Sequence, residues 1–445
     1  MRVLLALEQG RTTLSAELER ARRQTTDERD RALVLELTAG TLRWRNELDA
    51  ALAACSRRGI ADLNAQVRAV LRLGAYQIRH LDRIPSHAAV HESVELVRGL
   101  GQTRATGFVN AVLRSLVRKK NSIALPQRPG PDASRSSQVR YLTISLSHPE
   151  WLVARWLDRY GFDAAARWCE FNNAAPDLTL RVGPADEAEA TMAELRLAGV
   201  EASPARWVRG AIRVPAGDWS RVPHDMRGRL FIQDEASQIV ALTAAAAPNE
   251  RVLDACAAPG GKTVIMAHRM TGGTGRLIAA DHRPSRVRVL TAALARAHVT
   301  VPVVQLDATQ PLPFGPVFDR ILIDAPCSGL GTVRRDPDVK WRRSADDQPG
   351  FAAGQTLMLA AAAGALGPGG TLVYATCSSE PEENEQVVDQ FLASHPDFAL
   401  VRANPGASVH RGSDLVDDRG LLRTLPFRDG LDAYFCALLV RRRAA

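Results

Sequence analysis

The chain has 445 residues, 46% hydrophobic and 24% charged, which is too long for one ordinary core and too apolar for a disordered polymer, so two or three globular domains are expected. A net charge of +8, carried almost wholly by arginine, fits a polyanionic partner, while the absence of a spanning apolar run or a signal peptide predicts a soluble cytoplasmic protein. Six scattered cysteines (Cys55, Cys169, Cys256, Cys327, Cys377, Cys436) form no CxxC pair, arguing against a zinc site or a disulfide framework; reduced thiols and no metal are expected.

Residues 1–121 carry apolar residues at three- and four-residue spacing over Asp27–Ser56, Leu63–Leu81, His87–Gly99 and Ala105–Lys119, predicting an all-α domain. I-P-S-H-A-A-V-H-E-S-V-E-L-V (Ile84–Val97) and G-F-V-N-A-V-L-R (Gly107–Arg114) resemble the NusB family of RNA-binding domains, with the first helix clipped at Met1. His87, His91 and Asn110 are expected to serve helix capping and core packing. Asn121–Arg140, rich in Pro, Ser, Gly and Arg without periodicity, predicts a linker over 122–146. A small α+β module is expected over 147–235, with strands at Asp177–Val182, Ile212–Pro215 and Leu230–Gln233 and a helix at Glu187–Gly199. Its tryptophans (Trp151, Trp156, Trp168, Trp207, Trp219) are expected in core or interface packing more than in stacking on bases.

From 236 to 445, strand and helix patterns alternate, with strands at Arg251–Asp254, Arg276–Asp281, Val301–Asp307, Phe318–Asp324, Thr371–Ala375 and Tyr434–Val440, predicting a parallel, doubly wound α/β sheet with its ligand at the strands' carboxyl ends. The turn V-L-D-A-C-A-A-P-G-G-K-T (Val252–Thr263) has the glycines for close approach of backbone N–H groups to a ligand. It is no P-loop: Cys256 stands where the first glycine belongs and Pro259 removes a donor. A dinucleotide site is disfavoured by the lack of GxGxxG. An adenosyl ligand without a pyrophosphate fits better. S-adenosylmethionine would take the turn Cys256, Ala257, Ala258, Pro259, Gly260, Gly261 and Lys262 at its amino-acid end, with Asp281 for the ribose diol and Asp307 near the adenine.

Two cysteines follow neighbouring strand ends, in D-A-P-C-S-G-L-G (Asp324–Gly331) and Y-A-T-C-S (Tyr374–Ser378). Cytosine C5 is a poor nucleophile, and its methylation needs a thiolate to add at C6; one cysteine can do this while the other assists release and Asp324 holds the base. From the residues alone, either Cys327 or Cys377 can be the nucleophile.

D-A-C-A-A-P-G-G-K-T, D-A-P-C-S-G-L-G-T-V-R-R-D-P-D-V-K-W and T-C-S-S-E-P-E-E-N-E resemble the Nop/Nol/Sun family of RNA cytosine-C5 methyltransferases, and with the NusB-like start the resemblance extends to its bacterial small-subunit (16S) rRNA branch. It implies a Rossmann-like methyltransferase domain, S-adenosylmethionine as donor (bound by Asp324 as well), Cys377 as nucleophile and Cys327 promoting release. Arg334, Arg335, Lys340, Trp341 and Arg342 form a basic loop with an aromatic, expected to contact the RNA backbone and stack on a base. Acids over Pro381–Glu385 suit a helix N-terminus and call for no catalytic role. The expected partner is structured or preribosomal 16S rRNA, the protein a monomer; a tRNA methyltransferase and a noncatalytic assembly factor are the alternatives.

Overall fold

The computed structural model describes residues 1–130, 132–183 and 187–443. The chain divides into two compact units, Met1–Ala175 with Val333–Ser344, and Pro176–Thr332 with Ala345–Ala445, so the backbone passes between them after Ala175, after Thr332 and after Ser344.

The first unit is helical. Its central helix, Ala65–His80, starts where the Asn64 side chain accepts the Gln66 N–H (2.9 Å), and it buries Val67, Val70, Leu71, Ala75 and Ile78. These pack with Val109, Leu113 and Leu116 of helix Thr106–Lys119, each large side chain removed from water stabilising by roughly 1.5–3 kcal/mol.

The single helix expected over Asp27–Ser56 is broken in two, Glu28–Arg43 and Arg45–Ala53. Trp44 leaves helical geometry at ψ 16°, its ring stacked on His80 at 4.7 Å, and the Asn46 N–H donates to Ser147 Oγ (2.9 Å) instead of continuing the ladder. The carbonyls freed at the break are taken by the segment from later in the chain. Trp341 Nε1 donates to Leu42 O (2.6 Å), and Lys340 Nζ donates to Arg43 O (2.9 Å) and Ser147 O (2.6 Å).

The stretch expected to be an irregular linker contains helix Arg135–Arg140, and helices Glu150–Tyr160 and Phe162–Asn173 group with the helical unit, not with the small sheet. Apolar faces decide this: Trp156 and Trp168 are fully buried and stacked on each other at 4.4 Å, which leaves neither a face for a base. His87 and His91, expected to cap or pack, are exposed. With Asn110, Arg98 and Arg114 they line a groove of about 750 Å³ between helices Ser86–Gly99 and Thr106–Lys119.

The second unit holds two sheets. The smaller is antiparallel, ordered β2 (Ser203–Pro204), β3 (Ala211–Val214), β1 (Leu178–Arg181), β4 (Phe231–Ile232), with helix Ala188–Leu197 laying Met192 and Leu195 on Leu180 and Ile212. The larger comprises β5 (Arg251–Asp254), β6 (Arg276–Asp281), β7 (Val303–Gln305), β8 (Phe318–Asp324), β9 (Leu366–Thr376), β10 (Phe398–Val401), β11 (Leu422–Arg423) and β12 (Phe435–Arg441). Its order is β10-β12-β9-β8-β5-β6-β7, with β11 paired to β12. Strands β5 to β9 run parallel, and the chain reverses its direction of travel across the sheet between β5 and β8, which opens a crevice at their carboxyl ends. The expected all-parallel sheet is corrected at its far edge: β12 is antiparallel to β9 and to β10, a strand absent from the expectation. The F-C-A-L-L-V run of β12 is apolar at successive positions because side chains on both faces of the strand are buried, a pattern that carries no direction.

Candidate active site

Three parallel strands end in acids: β5 in Asp254, β6 in Asp281 and β8 in Asp324. Between β5 and the helix Gly261–Arg269 the chain makes a tight turn, anchored by Ala255 N–H to Leu322 O (2.9 Å) and Ala257 N–H to Ala280 O (2.8 Å). Gly260 sits at φ 111°, and a Cβ there would stand 3.1 Å from Leu290 and 3.3 Å from Ala293, so glycine is required both by the dihedral and by the space. The Ala258–Pro259 peptide is cis. Cys256 is buried, its thiol pushed up by burial, and it packs as a small apolar side chain of the core.

Asp254 is fully buried. Its Oδ2 accepts the Thr263 hydroxyl (2.7 Å), while Oδ1 has no hydrogen-bond partner among the described residues. Burial lifts its pKa to about 7 against the opposing pull of the Thr263 bond. Asp281 accepts the Ala258 N–H (3.1 Å) and takes Arg286 Nε at 3.0 Å from both carboxylate oxygens. Asp307, beyond the end of β7, accepts both the hydroxyl (2.7 Å) and the N–H (3.0 Å) of Thr309, bonds that hold its carboxyl below the usual carboxylate range.

Around Asp324 the reactive groups converge. Its Oδ2 lies 2.6 Å from Lys262 Nζ, which also sits 5.5 Å from the centre of the Tyr434 ring. Burial works to lower the Lys262 pKa, but the Asp324 carboxylate outweighs it and the net direction is upward, so Lys262 is an ammonium. Cys327 Sγ and Cys377 Sγ are 3.2 Å apart, both thiols free and half-buried. The Cys327 thiol is pushed well up, first by its hydrogen bond to Cys377 and then by burial. Tyr434 precedes Phe435, which pairs with Thr376, and so lies in register across from Cys377.

A second layer holds these loops. Each cysteine is followed by a serine, and the Ser328 and Ser378 hydroxyls, 3.2 Å apart, both donate to Oε2 of the fully buried Glu383. Oε1 of the same carboxylate accepts the Ser328 N–H (2.7 Å) and Gln355 Nε2 (3.1 Å). Gly331 threads between the loops, its N–H donating to Cys377 O and its carbonyl accepting from Ala433 N–H, both at 2.9 Å; a Cβ would strike Ala433 O at 2.0 Å.

The fold thus brings Lys262, Asp324, Cys327 and Cys377 together and sets the turn and Asp281 at adjacent strand ends. The basic loop is different. Arg334, Arg335, Lys340, Trp341 and Arg342 all belong to the helical unit. The expectation that Lys340 contacts RNA is corrected: it is fully buried and donates to two backbone carbonyls. Trp341 spends its indole N–H on Leu42 O and lies against Arg45 at 5.1 Å. Arg334 donates to Ala175 O (2.8 Å) and covers Phe171, and Arg342 pairs with Asp338 (3.0 Å). Not singled out from the sequence were Tyr434, Glu383 and the two serines; the repeated Cys-Ser after successive strands was the readable signal.

A Rossmann-like sheet with this crevice, a ferredoxin-like module and a helical NusB-type domain defines the class as a multidomain methyltransferase. Residues 241–440 match the 16S rRNA methyltransferase RsmB/F family, 1–118 the NusB family and 148–217 the ferredoxin-like domain of RsmF/B-like methyltransferases. The chain is 34% identical to the ribosomal RNA small subunit methyltransferase B of Pseudomonas putida over 100% of this chain and 98% of that protein. It belongs to the RsmB/F family of S-adenosylmethionine-dependent rRNA methyltransferases, on the RsmB (Sun) side of it. Among solved structures it resembles PH0851 (TM-score 0.76, 23% identity, 94% of this chain and 92% of that one) and NSun6 from Pyrococcus horikoshii with SFG (TM-score 0.56, 19% identity, 66% and 99%).

Proposed function

We propose that the protein transfers a methyl group to C5 of one cytosine in 16S rRNA through a covalent adduct between Cys377 and C6 of the base. The observation that carries this is the pair of thiols 3.2 Å apart at the ends of β8 and β9, beside the Lys262–Asp324 ion pair. S-adenosylmethionine, when bound, supplies an electrophilic methyl group on a sulfonium. The site suits it: the unpartnered Asp254 Oδ1 is a buried acceptor for an ammonium, the glycine turn admits the amino-acid end closely, and Asp281 offers acceptors to a ribose diol. Asp307 is assigned to the adenine side.

Cys377 gives its thiol proton to solvent and its Sγ adds as thiolate to C6, with the Cys327 S–H donating to it beforehand, and the electron pair of the C5–C6 double bond moves to C5, which becomes nucleophilic. Asp324 holds the amidine edge of the base, and Lys262 balances the charge that develops there. After C5 is methylated, its proton passes to solvent, the C5–H electron pair re-forms the C5–C6 double bond, and the C6–Sγ bond breaks with its electrons returning to Cys377. Cys327 promotes this release. The base has to leave its stack to reach the thiols. Arg334, Arg335 and Arg342 remain proposed backbone contacts, with the corrected Lys340 set aside.

The test is transfer of labelled methyl from S-adenosylmethionine to 16S rRNA and, separately, to tRNA, followed by mapping of the product. Label in 5-methylcytosine of 16S rRNA alone is expected; label in tRNA alone would move the substrate, and no label in any RNA would sink the enzymatic reading.

A further inference from the structure

Glu383 is a fully buried carboxylate that accepts from four donors and, among the described residues, has no cation within its hydrogen-bond shell. Helix N-terminal charge does not account for it, because its oxygens are spent on the two loops that carry the thiols. The residue after Cys327 gives it both an N–H and a hydroxyl, and the residue after Cys377 gives it a second hydroxyl. Its own backbone carbonyl is fixed by the hydroxyl of Tyr374, three residues before Cys377 on β9. The chain therefore ties the ends of two strands to one anionic point, one residue away from each sulfur.

Resting on the cytosine reading above, we infer that Glu383 is a positioning residue, a clamp that sets the separation of Cys327 and Cys377 and so governs both adduct formation and release. The need for it is physical. Nothing covalent joins the two loops, and two half-buried thiols gain little from lying side by side. Beside the backbone bond from Gly331 N–H to Cys377 O, a carboxylate accepting from both Cys-Ser turns fixes the residues next to the two sulfurs to one point of the folded core, and misplacement of about 1 Å costs about 100-fold in rate.

The test uses the full-length protein and compares Glu383→Gln, Ser378→Ala and the two combined in three measurements. Affinity for S-adenosylmethionine should stay within about twofold, since the clamp does not touch the donor's turn. Single-turnover methyl transfer to 16S rRNA should fall about 100-fold in Glu383→Gln and about tenfold in Ser378→Ala, and Ser378→Ala should add nothing once Glu383 is changed. The third measurement needs no RNA: diamide oxidises the Cys327–Cys377 pair to a disulfide, the thiols losing two protons and two electrons to the azo compound, and this should slow about tenfold without the clamp. An unchanged disulfide rate in Glu383→Gln, or a Ser378→Ala cost equal in both backgrounds, overturns the clamp. If Glu383→Gln does not fold, Ser328→Ala with Ser378→Ala removes both hydroxyls while keeping the carboxylate, and the same slowing is required of it. A wild-type protein that forms the disulfide quickly but methylates no cytosine would defeat the cytosine reading and leave the clamp standing.

Discussion

Asp254 is the residue whose chemistry depends most on whether the crevice is filled. Its carboxyl titrates at about 7 in the fold against an ordinary value of 3.8, raised by burial, so the fold favours its protonated form. Stability from this group is fully present below about pH 4 and is lost as pH rises through about 7. Unliganded protein should therefore lose stability between about pH 4 and 7 in thermal melts and level off above, and Asp254→Asn should flatten that slope. A ligand ammonium reverses the preference, because it needs the carboxylate. Calorimetry should show donor affinity rising about tenfold per pH unit up to about pH 7 and levelling above it; pH-independent affinity would mean Asp254 does not face the ammonium. The two thiols make a separate prediction. Cys377→Ala should abolish turnover and covalent protein–RNA adducts together, whereas Cys327→Ala should accumulate adducts resolvable on denaturing gels, and reversed outcomes would exchange the roles. Both cysteines were legible in the sequence because each follows a strand that ends at the same sheet edge. Glu383 was not, because an acid at a helix start looks the same whether it faces water or is buried against two loops.

At the scale of elements, the bounds of β5, β6 and β8 were readable from the sequence because each is a short apolar run ended by an aspartate and a turn. The direction of β12 was not, and neither was the break at Trp44, which depends on Ser147 and on residues nearly 300 positions away. Val333–Ser344 was misleading for the same reason: Lys and Trp in a basic stretch have one composition whether they meet phosphate or helix carbonyls. Lys340→Met should leave the Arg43 and Ser147 carbonyls unpaired and cost about 2–4 kcal/mol in denaturant unfolding, while Trp341→Phe, which loses one bond to Leu42 O, should cost about 1 kcal/mol. If Lys340→Met left stability unchanged but weakened RNA binding, the original RNA assignment would be restored.

For the whole molecule, the consequence is that the helical unit is not an appendage that can be trimmed. It is completed by twelve residues, Val333–Ser344, from between the strands of the catalytic sheet. A fragment beginning at Pro176 should express poorly or melt well below the intact chain, since Val339 and Lys340 would lose the surfaces that bury them and Trp341 its bond to Leu42 O. A fragment as stable as the full chain would contradict this. Adding residues 333–344 as a peptide to a 1–175 fragment should raise that fragment's melting temperature.

The same discontinuity sets a timetable for synthesis. Arg43 and Lys340 are 297 positions apart, so at roughly 5–20 residues per second the ribosome delivers the lysine about 15–60 s after the carbonyl it will bind. Through that interval the Leu42 and Arg43 carbonyls at the break have only water to satisfy them, and the amino-terminal helices emerge early yet finish late. Nascent chains arrested with residue 320 outside the exit tunnel should be cut by protease near Trp44, and those arrested with residue 360 outside should resist; equal cutting of both would mean the helices close without their late partner.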